Sequence, residues 1–358
     1  MALTKELIQF AQGNVDFFVA FEDYYNHKNN CGSFDATRSL SEKSEKIKEA
    51  FFAYVEDMSG VARTEKNAEA WARNPQTIWA SMEILNQTIN SVLPAYINSS
   101  LNPFVEMKYV GLGDIVKFRV KPRQLYSVSL SGHGERQSFR QKHFESDVVV
   151  APVSHIITVY ADFYRVMAGL EDIADFIRMA VLSVEVEMTR DAIKALSDTL
   201  NEATYPTEFI HRGPFNSKEA VKLAQRVQAY NFGAKPVFLG TRAALMNVLP
   251  DSAAGFRMQV AGSNGAVSIM KDFYGFELYE LTQIPTGGAD FGMELADDAL
   301  YMVSPGADKL IKGVISSGMS HSNEYLDNAD LTSDYTFTKD WNFVGLSAAY
   351  AAKYIITD

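Results

Sequence analysis

VKFRVKPRQLYSVSLSGHGERQSFRQKHFESDVVVAPVSHIITVYADF, residues 116–163, opens on strict alternation: Val116, Phe118 and Val120 against Lys117, Arg119 and Lys121. A period of two is a strand with one apolar face, and here the other face is basic. A polar middle follows around Ser131-Gly132-His133-Gly134, then a second β-branched run, VVVAPVSHIITVY (148–160). The simplest reading is a long two-stranded hairpin with its tip near Gly132 and Gly134. A hairpin of that length is marginal alone in water, so it must lie on something else.

The strongest helical period in the chain comes next, at about 172–200. Ile173, Phe176, Ile177, Ala180, Val181 and Val184 form an apolar stripe that Ile193, Leu196 and Leu200 continue. At 1.5 Å per residue this helix is about 40 Å long, a spine rather than a catalytic element. From Tyr205 the pattern turns to α/β. Asn216 or Ser217 caps a helix through Val221, Ala224 and Val227, and PVFLG (236–240) is a short buried strand running into the helix TRAALMNVL. FYGFELYEL (273–281) and ALYMV (299–303) read as further strands, and Tyr335 and Phe337 alternate with Thr336 and Thr338 in the tail.

The first hundred residues read as helical and loosely connected. A helix starts near Ser39 or Ser41, where Ser39-x-x-Glu42 has capping-box spacing, and ends at Gly60. Asn74-Pro75 starts another, with Ile78, Met82, Leu85, Ile89 and Val92 as its stripe and Pro94 as its stop. No internal repeat and no low-complexity tract interrupts the chain.

Composition narrows the function. The 358 residues are 47% hydrophobic and 22% charged, with 44 acids against 33 bases and a net charge of -11. That balance argues against a protein built mainly to coat nucleic acid. No apolar run reaches the ~18–20 residues of a membrane span, and the start, MALTKELIQFAQ, lacks a signal-peptide pattern. A single cysteine, Cys31, makes no internal disulfide and fits a reducing compartment such as cytosol. The charge is uneven. Between Ile115 and Phe144 seven bases face Glu135 alone, a window at +6, whereas Lys271 to Asp358 holds 14 acids and 5 bases, at -9. A basic projecting arm and an acidic remainder suit copies docking on each other, or else two separately solvated faces.

The search for chemistry returns little. The six histidines (His27, His133, His143, His155, His211 and His321) include no i,i+4 pair and no H-E-x-x-H. His133 reads as a solvated tip residue and His155 as a satisfied or interface histidine. Gly111-x-Gly113-Asp114 lacks the third glycine of a phosphate loop, and a basic strand follows it instead of a helix. Ser320-His321-Ser322 juxtaposes hydroxyl and imidazole only in sequence. The acids Glu324, Asp327, Asp330 and Asp334 do not match a calcium loop. We expect no cofactor, no metal and no enzyme.

The order of parts resembles the major capsid protein of tailed bacteriophages, the Hong Kong 97-type fold. The segments that carry it are the 116–163 stretch, LEDIADFIRMAVLSVEVEMTRDAIKAL (170–196), KPVFLGTRAALMNVLP and ALYMVSPGADKLIKGVI. The last two look like that fold's strand-to-helix units. The resemblance implies an α+β chain in five parts. Residues 1–104 would be a mostly helical N-terminal arm clasping neighbours, and 105–160 an extended β-hairpin loop lying across a neighbouring subunit. A peripheral domain with the spine helix would span 161–205 and an axial domain 206–325. The strands of 326–358 would return to the peripheral domain. Lys117, Arg119, Lys121, Arg123, Arg136, Phe139, Arg140 and Lys142 would then be subunit-interface residues of the loop. The implied role is a self-assembling subunit, in hexamers and pentamers, of an icosahedral shell in the virion. Such a shell is assembled in the host cytoplasm and encloses DNA without reading its sequence. Scaffold, portal and decoration proteins are further partners the resemblance allows, and no membrane is implied. An encapsulin-like nanocompartment shell and a soluble α/β enzyme remain as alternatives.

Overall fold

The computed structural model describes residues 15–29, 33–64, 70–71, 74–81, 83–85, 87–88, 104–111, 114, 116–120, 128, 141–142, 144–161, 172–201, 203, 205–248, 272–286, 291–324, 333–346 and 349–357. They form an α+β chain of two compact units. One takes residues 1–99, 152–188 and 316–341, and the other 100–151, 189–315 and 342–358.

In the first unit, helices α1 (Val15–Asn29) and α2 (Leu40–Ser59) meet through aromatic faces. Phe17, Phe21, Tyr24 and Tyr25 are buried on α1, and Ile47, Phe51, Phe52 and Val55 on α2. The capping box at α2 forms as its spacing predicts: Glu42 N–H donates to the Ser39 hydroxyl, and the Glu42 carboxylate accepts from Ser39 N–H. Gly60 closes the helix with φ +66°, the left-handed conformation that glycine adopts most cheaply. Asn74 also caps as expected, accepting from Gln76 N–H at 2.9 Å, and the described residues of 75–88 are helical. Their buried stripe runs through Thr77, Ser81, Ile84 and Thr88 as well as Ile78 and Leu85. Two of the hydroxyls are absorbed by the helix itself, Ser81 donating to the Thr77 carbonyl and Thr88 to that of Ile84.

These helices are not the loosely connected arm the sequence suggests. They are tied to the start of α3 (Ile173–Thr199), the spine helix. Tyr25 donates to Glu185 and Ser44 to Asp172, and Lys28 pairs with Asp175, all at 2.7 Å. Along α3 and the residue after it the buried positions are 173, 174, 177, 181, 184, 188, 192, 193, 196 and 200, so Met188 and Ala192 fill the gap in the predicted stripe. The same unit holds β4 (Val153–Ala161), antiparallel to the first part of β11 (Ser333–Gly345), from Ser333 opposite Ala161 to Trp341 opposite Val153.

That pairing corrects the long hairpin. The run at 148–160 is two strands, divided at Ala151-Pro152. Proline has no N–H to give a ladder, so the pairing changes partner there. Before the break, β3 (Ser146–Val150) pairs with β2 (Val116–Val120); after it, β4 pairs with β11. The expected tip at Gly132 and Gly134 lies outside the described residues.

In the second unit, a mixed six-stranded sheet has the order β5-β12-β9-β6-β8-β7. Its strands are β5 (Ile210–Gly213), β6 (Val237–Gly240), β7 (Asp272–Phe273), β8 (Phe276–Glu280), β9 (Ala299–Val303) and β12 (Ala352–Ile356). Helix α4 (Ser217–Tyr230), capped by Asn216, lays Ala220, Leu223, Ala224 and Val227 on a core that includes Phe238, Leu300, Met302 and Tyr354. The short α5 (Arg242–Met246) follows β6, as read from PVFLG and TRAALMNVL. Three expectations change. FYGFELYEL is two strands around a turn at Tyr274-Gly275. ALYMVSPGADKLIKGVI is not a strand-to-helix unit, because Ile311–Glu324 is strand β10, whose β-branched Ile311, Val314 and Ile315 favour the pleat. And the last strand does not return to the peripheral part. β12 lies between β5 (parallel) and β9 (antiparallel), inside the α/β sheet.

Gly345 ends β11 against the last turn of α3. A methyl group there would overlap the Thr199 hydroxyl oxygen and stand 2.9 Å from Thr199 Cβ and Cγ2. Gly345→Ala is therefore expected to cost about 1–3 kcal/mol, from overpacking. Thr199→Ala should relieve most of the loss, because it removes the hydroxyl and Cγ2 and leaves only Cβ close by, and Thr199→Gly should remove the remaining contact. Chemical denaturation of the single and double variants measures it.

Candidate functional site

The predicted interface residues that the structure describes are Lys117, Arg119 and Lys142; Lys121, Arg123, Arg136, Phe139 and Arg140 lie outside the described residues. Lys117 and Arg119 stand on one face of β2, as the alternation requires. Their strand is anchored from the other face. Phe118 is fully buried in a cluster with Val110, Val150 and Val314, against which Val116, Val344 and Leu346 pack. So the sequence's two-faced strand is real, with its basic face turned to solvent.

Register adds what the sequence window left out. Arg119 lies directly opposite Asp147 and Lys117 opposite Val149. The Arg119 guanidinium reaches Asp147 at 3.4 Å and Glu145 at 3.5 Å, with 62% of its side chain still exposed. The +6 window stopped at Phe144, one residue short of the first of these acids. Lys142 stacks its ammonium 4.6 Å over the exposed Phe144 ring. Lys108, a cation that sequence reasoning did not single out, sits 4.3 Å over the Phe118 ring and donates to the Lys117 carbonyl. It belongs to β1 (Val105–Val110), which is not part of the hairpin: its sheet neighbour is β10.

The remaining polar features are accounted for as packing. His155 stacks on Trp341 at 3.7 Å, its Nδ1 3.0 Å from the Val153 carbonyl, which makes it the satisfied histidine expected. His27 stacks on Phe34 and His211 tilts against Tyr354. Among the described residues, no three of His, Cys, Asp and Glu gather as a metal site would need, and no helix is long and apolar enough to cross a membrane.

One buried cation has a measurable signature. Burial on β11 pushes the Lys339 ammonium down from 10.5 to about 8, opposed in part by neighbouring Asp340. The folded chain then gives up this proton near pH 8 while the unfolded chain keeps it to about 10.5. The unfolded state binds more protons in that window, so this group's contribution to stability rises with pH. Thermal melts of the disassembled subunit test it. Relative to wild type, Lys339→Met should lose about 2–3 kcal/mol of advantage between pH 8 and 10.5. A difference that stays flat across the window would contradict the assignment.

The described part of the site is an exposed, charged strand face braced by a buried aromatic. Comparison in sequence and structure supplies the class of protein. The family described as "SPbeta prophage-derived putative capsid protein YonB" matches residues 22–259, about two thirds of the chain. The chain belongs to this family and is a capsid structural subunit. No curated protein matches it in sequence. Solved structures with distant likeness include the mature capsid of bacteriophage PhiM1, with 10% identity, TM-score 0.45, and 72% of this chain covering 86% of that one. The capsid of the native GTA particle gives 10%, 0.48, 73% and 91%, and the satellite phage P4 procapsid 8%, 0.45, 77% and 91%.

Proposed function

We propose that the chain is the self-assembling major subunit of a tailed-phage head of the Hong Kong 97 type, an icosahedral shell enclosing double-stranded DNA. The observation that carries this reading is the capsid-family match over residues 22–259. The subunit works by contact and performs no turnover. In this reading residues 116–150, from β2 to β3, are the loop laid across a neighbour, with Lys117, Arg119, Lys121, Arg123, Arg136, Phe139, Arg140 and Lys142 as its interface. The acidic 271–358 window supplies surface on the adjacent copy. The spine helix anchors the peripheral part, and the six-stranded sheet is the body of the axial domain. Assembly would take place in the host cytoplasm, with scaffold, portal and decoration proteins as further partners. An acidic wall also suits a container for DNA, since a wall that held phosphates tightly would oppose packaging and ejection.

Negative-stain electron microscopy with size-exclusion chromatography tests the reading. Uniform polyhedral shells, or rings of five or six subunits, are the expected result. A compact monomer whose 115–144 segment resists proteolysis would overturn it, because a loop without its neighbour should be cut.

A further inference from the structure

Among the described residues, the only non-glycine positions with a left-handed backbone are three exposed aromatics. They are Phe232 (φ +56°, 54% exposed), Tyr274 (φ +49°, 59%) and Phe291 (φ +49°, 95%). Each is followed directly by glycine, Gly233, Gly275 or Gly292. Bulky side chains seldom accept positive φ, and an aromatic ring in water forgoes the gain that burial would bring. These positions burden the isolated subunit twice.

The clearest of the three is Tyr274. It and Gly275 form the two-residue connection between β7 and β8, closed by Phe273 opposite Phe276. Positive φ at both central residues is the type I′ pattern, for which Asn-Gly is the favoured pair. Phe273 and Phe276 are buried, so the turn is fixed from beneath, while the Tyr274 ring, edge-on to Phe273 with centroids 4.9 Å apart, stays 59% exposed. Its flanks carry a second conflict. Asp272 lies directly opposite Glu277, both exposed, and like charges across a strand pair repel.

We propose that this hairpin tip is a contact knob that docks on a cationic patch of a second copy of the chain. Tyr274 supplies the anchor, with apolar area and a hydroxyl, and Asp272 and Glu277 supply the charge match. The inference rests on the shell reading, in which a subunit's recurrent neighbour is another copy of itself. Charge complementarity supports that occupant: a second copy exposes Lys117, Lys142 and Lys235. One contact would cover the ring and offset the repulsion, and its gain would compensate the turn strain, which the contact leaves in place.

The test compares wild type, Tyr274→Asn, Tyr274→Phe and the double variant Asp272→Asn/Glu277→Gln. Two quantities are read: the melting temperature of disassembled subunits and the threshold concentration for forming rings or shells. Tyr274→Asn should melt about 2 °C higher yet need about tenfold more protein to assemble. Tyr274→Phe should assemble close to wild type. The charge-neutral double variant should also melt higher and assemble less readily. If Tyr274→Asn melts lower, or assembles at the wild-type threshold while wild type forms shells, the knob is overturned and the shell reading stands. If wild type forms no rings or shells at all, the shell reading fails and this contact falls with it.

Discussion

Reversing Arg119 and Arg123 to Glu is expected to leave a folded subunit that no longer forms shells. Arg119 is the half of this pair with a defined environment. Its two ion pairs, to Asp147 and Glu145, are 3.4 and 3.5 Å long and join side chains that are all about half exposed or more. Exposed pairs of this kind contribute about 0–1 kcal/mol, and β2 is held by Phe118 beneath, not by its charges. Fold stability should therefore change little. The surface changes far more. Reversal at 119 sets a third acid beside Glu145 and Asp147 and leaves Lys117 as the one described cation on the outer face of β2. Against an acidic neighbour, an attraction becomes a repulsion, which is how charge placement excludes a wrong contact.

Arg119→Met separates the two effects. It removes the ion pairs within the chain without adding an acid, so it should melt like wild type and assemble weakly, whereas the double reversal should yield no particles. Raising salt should weaken wild-type assembly and partly relieve the repulsion in the variant. Melting curves, chromatography and electron microscopy report all of this. Normal shells from the double reversal would remove the charge-docking role from the loop.

The parts that were legible in the sequence are the local ones. Ser39 with Glu42, Asn74 with Pro75, and Asn216 all cap helices within three residues of themselves, so their signal is complete in a short window. The spine stripe and the alternation of β2 are legible for the same reason. Strand partners are not local. Val153 is matched to Trp341 and Tyr354 to His211, and nothing near either residue records its partner. That is why VVVAPVSHIITVY read as a single strand, although Pro152 within it marked the break. It is also why β12 was assigned away from the sheet it completes. At the candidate site the basic residues were visible and their counter-ions were not, because Glu145 and Asp147 reach Arg119 only through the antiparallel register. LIKGVI failed differently. Its helical reading came from the resemblance alone, and only the partners of Lys312 explain a buried charge on a strand.

Lys312→Met is expected to be among the most destabilising single substitutions in the second unit. The Lys312 side chain is 1% exposed on β10 and reaches two carboxylates at 2.5 Å, Glu106 on β1 and Asp308 in the turn before it. Removing the amine takes away the buried cation that these two acids share, with Lys309 left as a further charge near Glu106. Breaking a fully buried pair from one side costs about 3–5 kcal/mol. Here Glu106 is 38% and Asp308 28% exposed, so water can recover part of their charge, and about 2–3 kcal/mol is the expected loss. The attraction itself is not the source of that figure. Desolvating Lys312 cancels much of the pair's gain, so replacing the whole triad should be far milder than breaking it. Lys312→Met/Glu106→Gln/Asp308→Asn should return to within about 1 kcal/mol of wild type in urea denaturation. A triple variant as unstable as the single one would mean that the cost lies in packing around the lysine, whose ammonium stands 6.0 Å from the Phe118 ring centroid, and not in the charges of the two acids.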